Sequence, residues 1–273
     1  MLLKMLNGKM LKMKNKFSNN KLVVRTFWIL VFIVAWEITA RSGNFSPLIF
    51  PTVEVILSSL YSSIINGEII NETLYSLNLI FKGLSLGILI ALILSSMTSV
   101  SKIFEGFVET LTSIAHPLPG VALLPLIILW LGSGPNSIIF IIVHSVLWPM
   151  VLNLTAGFKS IPKIYKEIGE NYELNSLKII YYILLPASLP YFITGIKIGW
   201  ARSWRALISA EMIFGAAGGI GGLGWFIFKR RVFMDTPGIF AGLIVIIFIG
   251  IIVEDLFFSK LEKITLKKWG MTL

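Results

Sequence analysis

The sequence predicts an all-α, polytopic membrane protein with about six transmembrane helices. Three observations carry that reading. Apolar residues make up 56% of the 273-residue chain and charged residues only 14%, where a soluble domain carries about 25% charge. The deficit is spread along the whole length, with a mean hydropathy of +0.84 and no polar block in which a soluble domain could hide. Apolar segments also recur at lengths near the 20 or so residues that a helix needs to cross the hydrocarbon layer.

Taken in order, the segments are Thr26–Ala40, Tyr75–Thr98, Phe107–Leu131, Ser137–Gly157, Ser188–Ala210 and Pro237–Phe257. The first is short, contains Glu37, and borrows Val23 and Val24 to reach a spanning length. The basic stretch before it resembles the start of a signal peptide. The apolar run ends in "EITARSG", however, without a small-residue cleavage site, and five more spans follow; a retained helix is expected. After "SPLIFPT", the residues Val53, Ile56, Leu57, Leu60, Tyr61 and Ile64 follow the rhythm of one helical face. A short helix there either lies on the membrane surface or packs on the span tops.

The formal charge is +10. Beside apolar spans, basic residues set orientation, so no nucleic-acid partner is expected. With the N-terminus inside, the cytoplasmic segments hold seven basic residues before Thr26, then Lys102, four from Lys159 to Lys178 and four from Lys260 to Lys268. The outer segments hold only Lys229, Arg230 and Arg231. This bias predicts a cell-membrane protein with both termini cytoplasmic. The expected organisation is a basic N-terminal tail over 1–25, a transmembrane domain over 26–258 and a cytoplasmic C-terminal tail over 259–273. The chain has no cysteine, which excludes disulfides and thiolate metal sites.

The longest cytoplasmic interruption is residues 158–187, and "EIGENYELNSLKIIYYILLPASLP" (167–190) runs from it into the fifth segment. Tyr165, Ile168 and Tyr172 are spaced by three and four, giving one short apolar face with Glu167, Glu170 and Glu173 around it. Asn175 and Ser176 suit a helix start, and Leu177, Ile180 and Leu184 form a second apolar set. Two short helices are therefore expected, with a corner near Leu174–Ser176. Pro186 should end the second, and Pro190 should sit in the first turn of the fifth span. Such a helix is a docking element for a partner's groove or an amphipathic helix resting on lipid. The acidic rim favours docking, because inner-leaflet lipids are negative.

This pattern resembles the cytoplasmic loop of permease subunits of ATP-binding-cassette importers. That loop reads E-A-A, three residues, G, about eleven residues, then L-P. Glu167, Ile168 and Gly169 stand at the E-A-A positions, and Leu185 and Pro186 at L-P. Glu173 stands where the family usually has glycine. Further blocks resemble the nitrate/sulfonate/taurine-type branch: "FPTVEVILSSL", "HPLPGVALLPLIILWLGSGPNSIIFI", "LPYFITGIKIGWARSWRALISAEMI" and "MDTPGIFAGLIVIIFIGIIVEDLF". The resemblance covers about residues 46–260, with its core over 72–257.

The resemblance implies a type I importer permease fold. It also implies a second permease copy or a paralogue, two copies of a cytoplasmic ATPase docked through the 158–187 loop, and an extracytoplasmic substrate-binding protein. Glu167, Ile168, Gly169, Glu170, Tyr172, Glu173, Leu174, Asn175, Ser176 and Pro186 become the expected coupling residues. The chain lacks G-x-x-x-x-G-K-[ST], so no cofactor is expected on it and ATP would be used by the partner. It would be a non-catalytic transport subunit for a sulfonate-, taurine- or nitrate-like anion, or for a vitamin precursor.

"GGIGGLG", residues 218–224, contains a literal G-x-G-x-x-G. No strand precedes it, so it is read as a flexible outer loop leading into a short helix, "LGWFIFKRR", rather than as a dinucleotide site. The fifth span carries Arg202, Trp204 and Arg205, with Glu211 at its outer end. Intramembrane charges face protein or a water-filled cavity. These four residues are candidates for the substrate path; alternatively the arginines pair with Glu211 or snorkel outward. His116 and His144 are isolated and are expected to be buried and hydrogen-bonded rather than metal ligands. Pro117, Pro119 and Pro125 mark either a broken transport helix or simple kinks. A secondary transporter or channel would carry inverted repeats or paired midplane acids, and an intramembrane enzyme a nucleophile and base. Neither pattern is visible.

Overall fold

The computed structural model describes residues 21–215 and 221–267, and every element among them is helical. In chain order these are α1 (Lys21–Arg41), α2 (Val53–Ile65), α3 (Glu68–Thr98), α4 (Lys102–Ala115), a 3-10 turn (Gly120–Leu123) and α5 (Leu124–Leu131). Then come α6 (Pro135–Ser160), α7 (Lys163–Asn171), α8 (Ser176–Ala187), α9 (Leu189–Phe214), α10 (Leu223–Val232) and α11 (Thr236–Leu266). Helices α1, α3, α6 and α11 are each long and apolar enough to cross a membrane, and the bent pairs α4–α5 and α8–α9 bring the number of crossings up to six.

α6 is the central helix, packed along both α3 and α9. Hydrophobic burial gives no drive between helices in lipid, so close van der Waals contact must do this. Gly83 and Gly87 on α3, and Gly195 and Gly199 on α9, supply it. A Cβ on Gly87 would stand 2.3 Å from Val146 Cγ1, and one on Gly199 would stand 2.4 Å from Val146 Cγ2. Val146 is thus held between two small-residue stripes and is fully buried.

α1 extends back over Val23 and Val24 as expected, and its acid has a local use. Glu37 pairs with Arg41 and accepts the Val53 amide at 2.8 Å, tying α1 to the start of α2. α2 buries Ile56 and packs against α3 and α11, while Leu57, Tyr61 and Ile64 face outward. The packing reading of this helix therefore holds for its buried face.

The third span is not one helix. The chain bends by 87° between α4 and α5, where Pro117 and Pro119 remove two amide donors. Pro125 falls in the first turn of α5, where proline is tolerated. The corner between α7 and α8 lies where expected. Pro186, however, does not end α8. A wider π-type turn over Ile180–Leu184 precedes it and leaves room for its ring, so the helix runs to Ala187 and the 73° bend falls at Ser188. At the C-terminal end, the segment read as a tail from 259 begins as a continuation of α11. Phe258 is 1% exposed, and Glu262 accepts a bond from Lys197 at 3.2 Å. The apolar contacts of Phe258 hold the helix past the predicted span edge. The remainder of that tail and residues 1–20 lie outside the described residues.

Candidate functional site: an elbow and a cleft

The elbow is built by local rules. At the end of α7, Leu174 N–H bonds the Gly169 carbonyl at 3.0 Å and Glu173 N–H bonds that of Glu170 at 2.8 Å. This double closure is a Schellman motif. It forces Glu173 to φ +55°, the left-handed region that glycine adopts without cost. The next helix starts at once, with Asn175 Oδ1 accepting the Lys178 amide at 2.9 Å.

Gly169 is the contact point of α7 with α8: a Cβ there would stand 2.8 Å from Ile183 Cδ1. With that face closed, Tyr165, Ile168 and Tyr172 remain exposed, and so does Leu177 on α8. Glu167, Glu170 and Glu173 are exposed around them. Leu174 is half-buried at the corner, and Ser176 is exposed at the start of α8. Ser99, Val100, Lys166, Glu170, Ser176 and Ile179 line a shared hollow, so the elbow sits at the same end of the bundle as the α3–α4 turn.

The cleft opens at the α4–α5 bend. It has a volume of about 650 Å³ and is walled by the bend itself, by His144, Ser145, Trp148 and Pro149 of α6, and by Arg202, Arg205, Ala206 and Ser209 of α9. A second hollow of about 460 Å³ shares His116 and Pro117 with it and continues between α4 and α6 to Lys159. Together they form one groove along the bundle. At the end near the elbow, Lys159 is held by Glu105 at 2.6 Å and Glu109 at 2.9 Å.

Within the cleft, Arg202 Nη1 lies 3.0 Å from His116 Nε2. A guanidinium can only donate, so Nε2 accepts and the ring proton sits on Nδ1. Arg205 Nε donates to the Ala201 carbonyl at 2.9 Å, which leaves its terminal nitrogens toward the opening. The expectation that both histidines are hydrogen-bonded holds for His116, while the ring nitrogens of His144 are buried beside the Ala115 carbonyl without a well-formed bond. The position of His144 one turn from Trp148 sets the two rings edge to face.

The four α9 candidates separate. Arg202 and Arg205 reach the cleft. Trp204 is instead stacked on Trp200 in the packed core, with ring centroids 5.7 Å apart. Glu211 is 1% exposed and belongs to a different constellation. Ser76 Oγ lies 2.8 and 2.9 Å from its two carboxylate oxygens, Gly224 N–H donates to it at 2.9 Å, and Leu223 N–H donates to Ser76 Oγ at 2.9 Å. The arginines therefore do not pair with Glu211.

The glycine run is also resolved in part. Its residues 218–220 lie outside the described residues, but Gly222 and Gly224 are clamped: a Cβ would stand 2.0 Å from Glu211 Oε1 at the first and 2.2 Å from the Ile208 carbonyl at the second. These glycines are packing residues around a buried acid, and α10 follows as the expected short helix. Neither the His116–Arg202 pair nor the Ser76–Glu211 pair was foreseen. The G-x-x-x-G spacings at 83–87 and 195–199 were the overlooked signal that α3 and α9 share one neighbour.

Comparison with known proteins agrees with this architecture. The family of binding-protein-dependent transport system inner membrane components matches over residues 83–263. The nitrate import permease protein NrtB of Synechocystis is 28% identical, over 86% of this chain and 86% of that protein. The taurine transport system permease protein TauC of Escherichia coli is 26% identical over 83% of this chain and 82% of its own length. The bicarbonate transport system permease protein CmpB of Synechococcus elongatus is 24% identical over 81% of each. With the bent spans, the elbow and two thirds of its length within one family, the chain belongs to the binding-protein-dependent inner membrane components, as a permease subunit of an ATP-binding-cassette importer.

Proposed function

We propose that this subunit carries a small anion inward through the groove between α4, α6 and α9, driven by a separate ATPase that grips the α7–α8 elbow. The elbow carries the reading. Tyr165, Ile168 and Tyr172 form an apolar patch rimmed by acids on a corner held by its own backbone bonds, which is how a short helix enters a partner's groove. Force applied to α7 passes through the Gly169 contact to α8 and on to α9, whose middle carries Arg202 and Arg205.

The chain has no phosphate-cradling loop of the G-x-x-x-x-G-K-[ST] kind, so ATP is hydrolysed elsewhere and this subunit binds no cofactor. The positive-inside bias puts the elbow and both termini in the cytoplasm. A single elbow per chain calls for a second copy of the permease and two ATPase subunits, and an extracytoplasmic binding protein delivers the cargo. An anion fits two guanidiniums whose cleft holds no carboxylate, as it fits the nitrate, taurine and bicarbonate named for the relatives.

The test is purification with neighbours. The wild type retains an ATPase and drives ATP-dependent uptake in vesicles. Ile168→Asp buries a charge in the grip and loses both, while the subunit still reaches the membrane. Uptake that ignores ATP and follows a proton gradient overturns the proposal.

A further inference from the structure

The α3–α4 turn sets two adjoining hollows against the elbow, and they differ in chemistry. The first, of about 330 Å³, is basic: Lys102 of α4, Lys159 of α6 and Lys166 of α7 line it, with Ser99, Ser101 and Thr155 between them. Glu105 also lines it, and it is bonded to Lys159 at 2.6 Å. Lys102 and Lys166 form no ion pair among the described residues. Thr155 Oγ1 is buried without a partner. Ser101 caps α4, so the positive end of that helix lies in the same wall. Two lysines, several hydroxyls and a helix N-terminus around one hollow are a donor set suited to a phosphate.

The second hollow, of about 380 Å³, shares Val100 and Ser101 with the first and is almost wholly apolar. Met97, Val100, Ile103, Phe104, Leu177 and Ile180 form it, so that α3, α4 and α8 all contribute. Ile103 is 89% exposed immediately beside Lys102. An apolar side chain left that open next to a lysine at the end of a spanning segment marks the edge of the hydrocarbon layer, where lysines reach to the polar side.

The junction of the two hollows names the occupant. A phosphate on one side and a hydrocarbon chain on the other, joined in one molecule, make a phospholipid, and the surplus of lysine selects an anionic one. We infer that an anionic phospholipid seats at this joint, with its headgroup phosphate between Lys102 and Lys166 and an acyl chain in the apolar slot. The inference rests on the orientation proposed above, which sets this end of the bundle against the cytoplasmic leaflet, where negative lipids are found. It also goes beyond that reading. Lys166 belongs to the elbow and Lys102 to the spans, so the lipid bridges the joint through which the elbow moves. The site lies on the span side of the elbow, apart from the exposed face of Tyr165, Ile168 and Tyr172.

The experiment uses the full chain, purified from membranes with the subunits it retains. Dioctanoyl phosphatidylglycerol, dioctanoyl phosphatidylcholine and glycerol 1-phosphate are titrated, and binding is read from the shift of the unfolding midpoint with concentration. Phosphatidylglycerol is expected to bind saturably and at least about tenfold more tightly than phosphatidylcholine, and glycerol phosphate not at all. The double substitution Lys102→Gln/Lys166→Gln should weaken phosphatidylglycerol roughly thirtyfold, from about fivefold for each lysine. Phosphatidylcholine should change much less in that variant, which shows that the fold is intact. Ile103→Gln should weaken both lipids several-fold, because both place a chain in the slot.

Equal affinity for the two lipids, or phosphatidylglycerol binding unchanged by the loss of Lys102 and Lys166, overturns the site. Glycerol phosphate binding as tightly as the lipid makes the ligand a free phosphate and overturns the lipid. The same loss in Lys260→Gln/Lys263→Gln, whose lysines lie exposed on α11, reduces the effect to net charge and overturns it as well. A failure of the importer reading would appear separately, as absence of a co-purifying ATPase, because lipid binding is read on the chain whether or not a partner is retained.

Discussion

Helix α9 holds two polar regions with opposite economies. Around Glu211 most polar groups are partnered: Ser76, the Gly224 amide and the Leu223 amide close one network, while Glu72, one turn before Ser76, keeps a buried oxygen without a partner. About two turns away, Arg202 and Arg205 face an open cleft whose lining carries no acid. The same element therefore shows what burial does to charge in a membrane. A charge whose neighbours satisfy it is a structural pin, fixing α10 to α3 and α9. A charge left short of partners is oriented for something that arrives later.

The sharpest way to break this contrast is to remove one member of each region. Glu211→Ala strands the Ser76 hydroxyl and the Gly224 amide and empties a packed site. Leaving such groups unsatisfied costs about 3 kcal/mol or more in total, so the unfolding midpoint of the purified subunit should fall well below wild type. Arg202→Gln should leave that midpoint unchanged within error while ATP-driven uptake falls. Equal destabilisation by the two substitutions would mean that the cleft arginine is structural after all.

A second test, of smaller effect, concerns how α9 is held against α6. Gly199→Ala places a methyl group 2.4 Å from Val146 Cγ2, and such overpacking costs about 1–3 kcal/mol. Gly106→Ala on α4, where the new Cβ meets nothing within 4 Å, should be neutral or slightly stabilising. Combining Gly199→Ala with Val146→Ala should recover part of the loss, a coupling that thermal unfolding of the four-member cycle measures. Additive effects would show that α9 is not seated through this contact.

The smallest expected effect lies at the elbow. Glu173 sits at φ +55° in a position that a Schellman motif reserves for glycine. Glu173→Gly should relieve about 1 kcal/mol of backbone strain, partly offset by greater freedom of the unfolded chain. Slower proteolysis within residues 158–187 and unchanged or improved ATPase retention are expected. Glu173→Val, β-branched and ill-suited to this region, should do the reverse. If the two variants behave alike, the corner is not set by its backbone geometry.

Much of this was legible beforehand, and the reasons are physical. The elbow could be read residue by residue because capping, left-handed closure and proline act over four or five positions; Asn175 and the corner at Leu174 followed from local sequence. Pro186 misled only because a wider turn, which no local pattern announces, made room for it. The cleft was half legible: Arg202 and Arg205 announced themselves as charges in a span, but Trp204 and Glu211, on the same helix, turned out to face elsewhere.

By itself the sequence determined the class, the apolar segments and the corner between the fourth and fifth of them, because hydropathy and helix-end chemistry are short-range properties. Only the tertiary structure decided which side of each crossing looks inward. In lipid, residues facing a neighbour and residues facing hydrocarbon are equally apolar, so the periodicity that marks a soluble core is erased. The partners that sort Arg202 from Glu211 are His116 and Ser76, 86 and 135 positions away along the chain, and only packing brings them together.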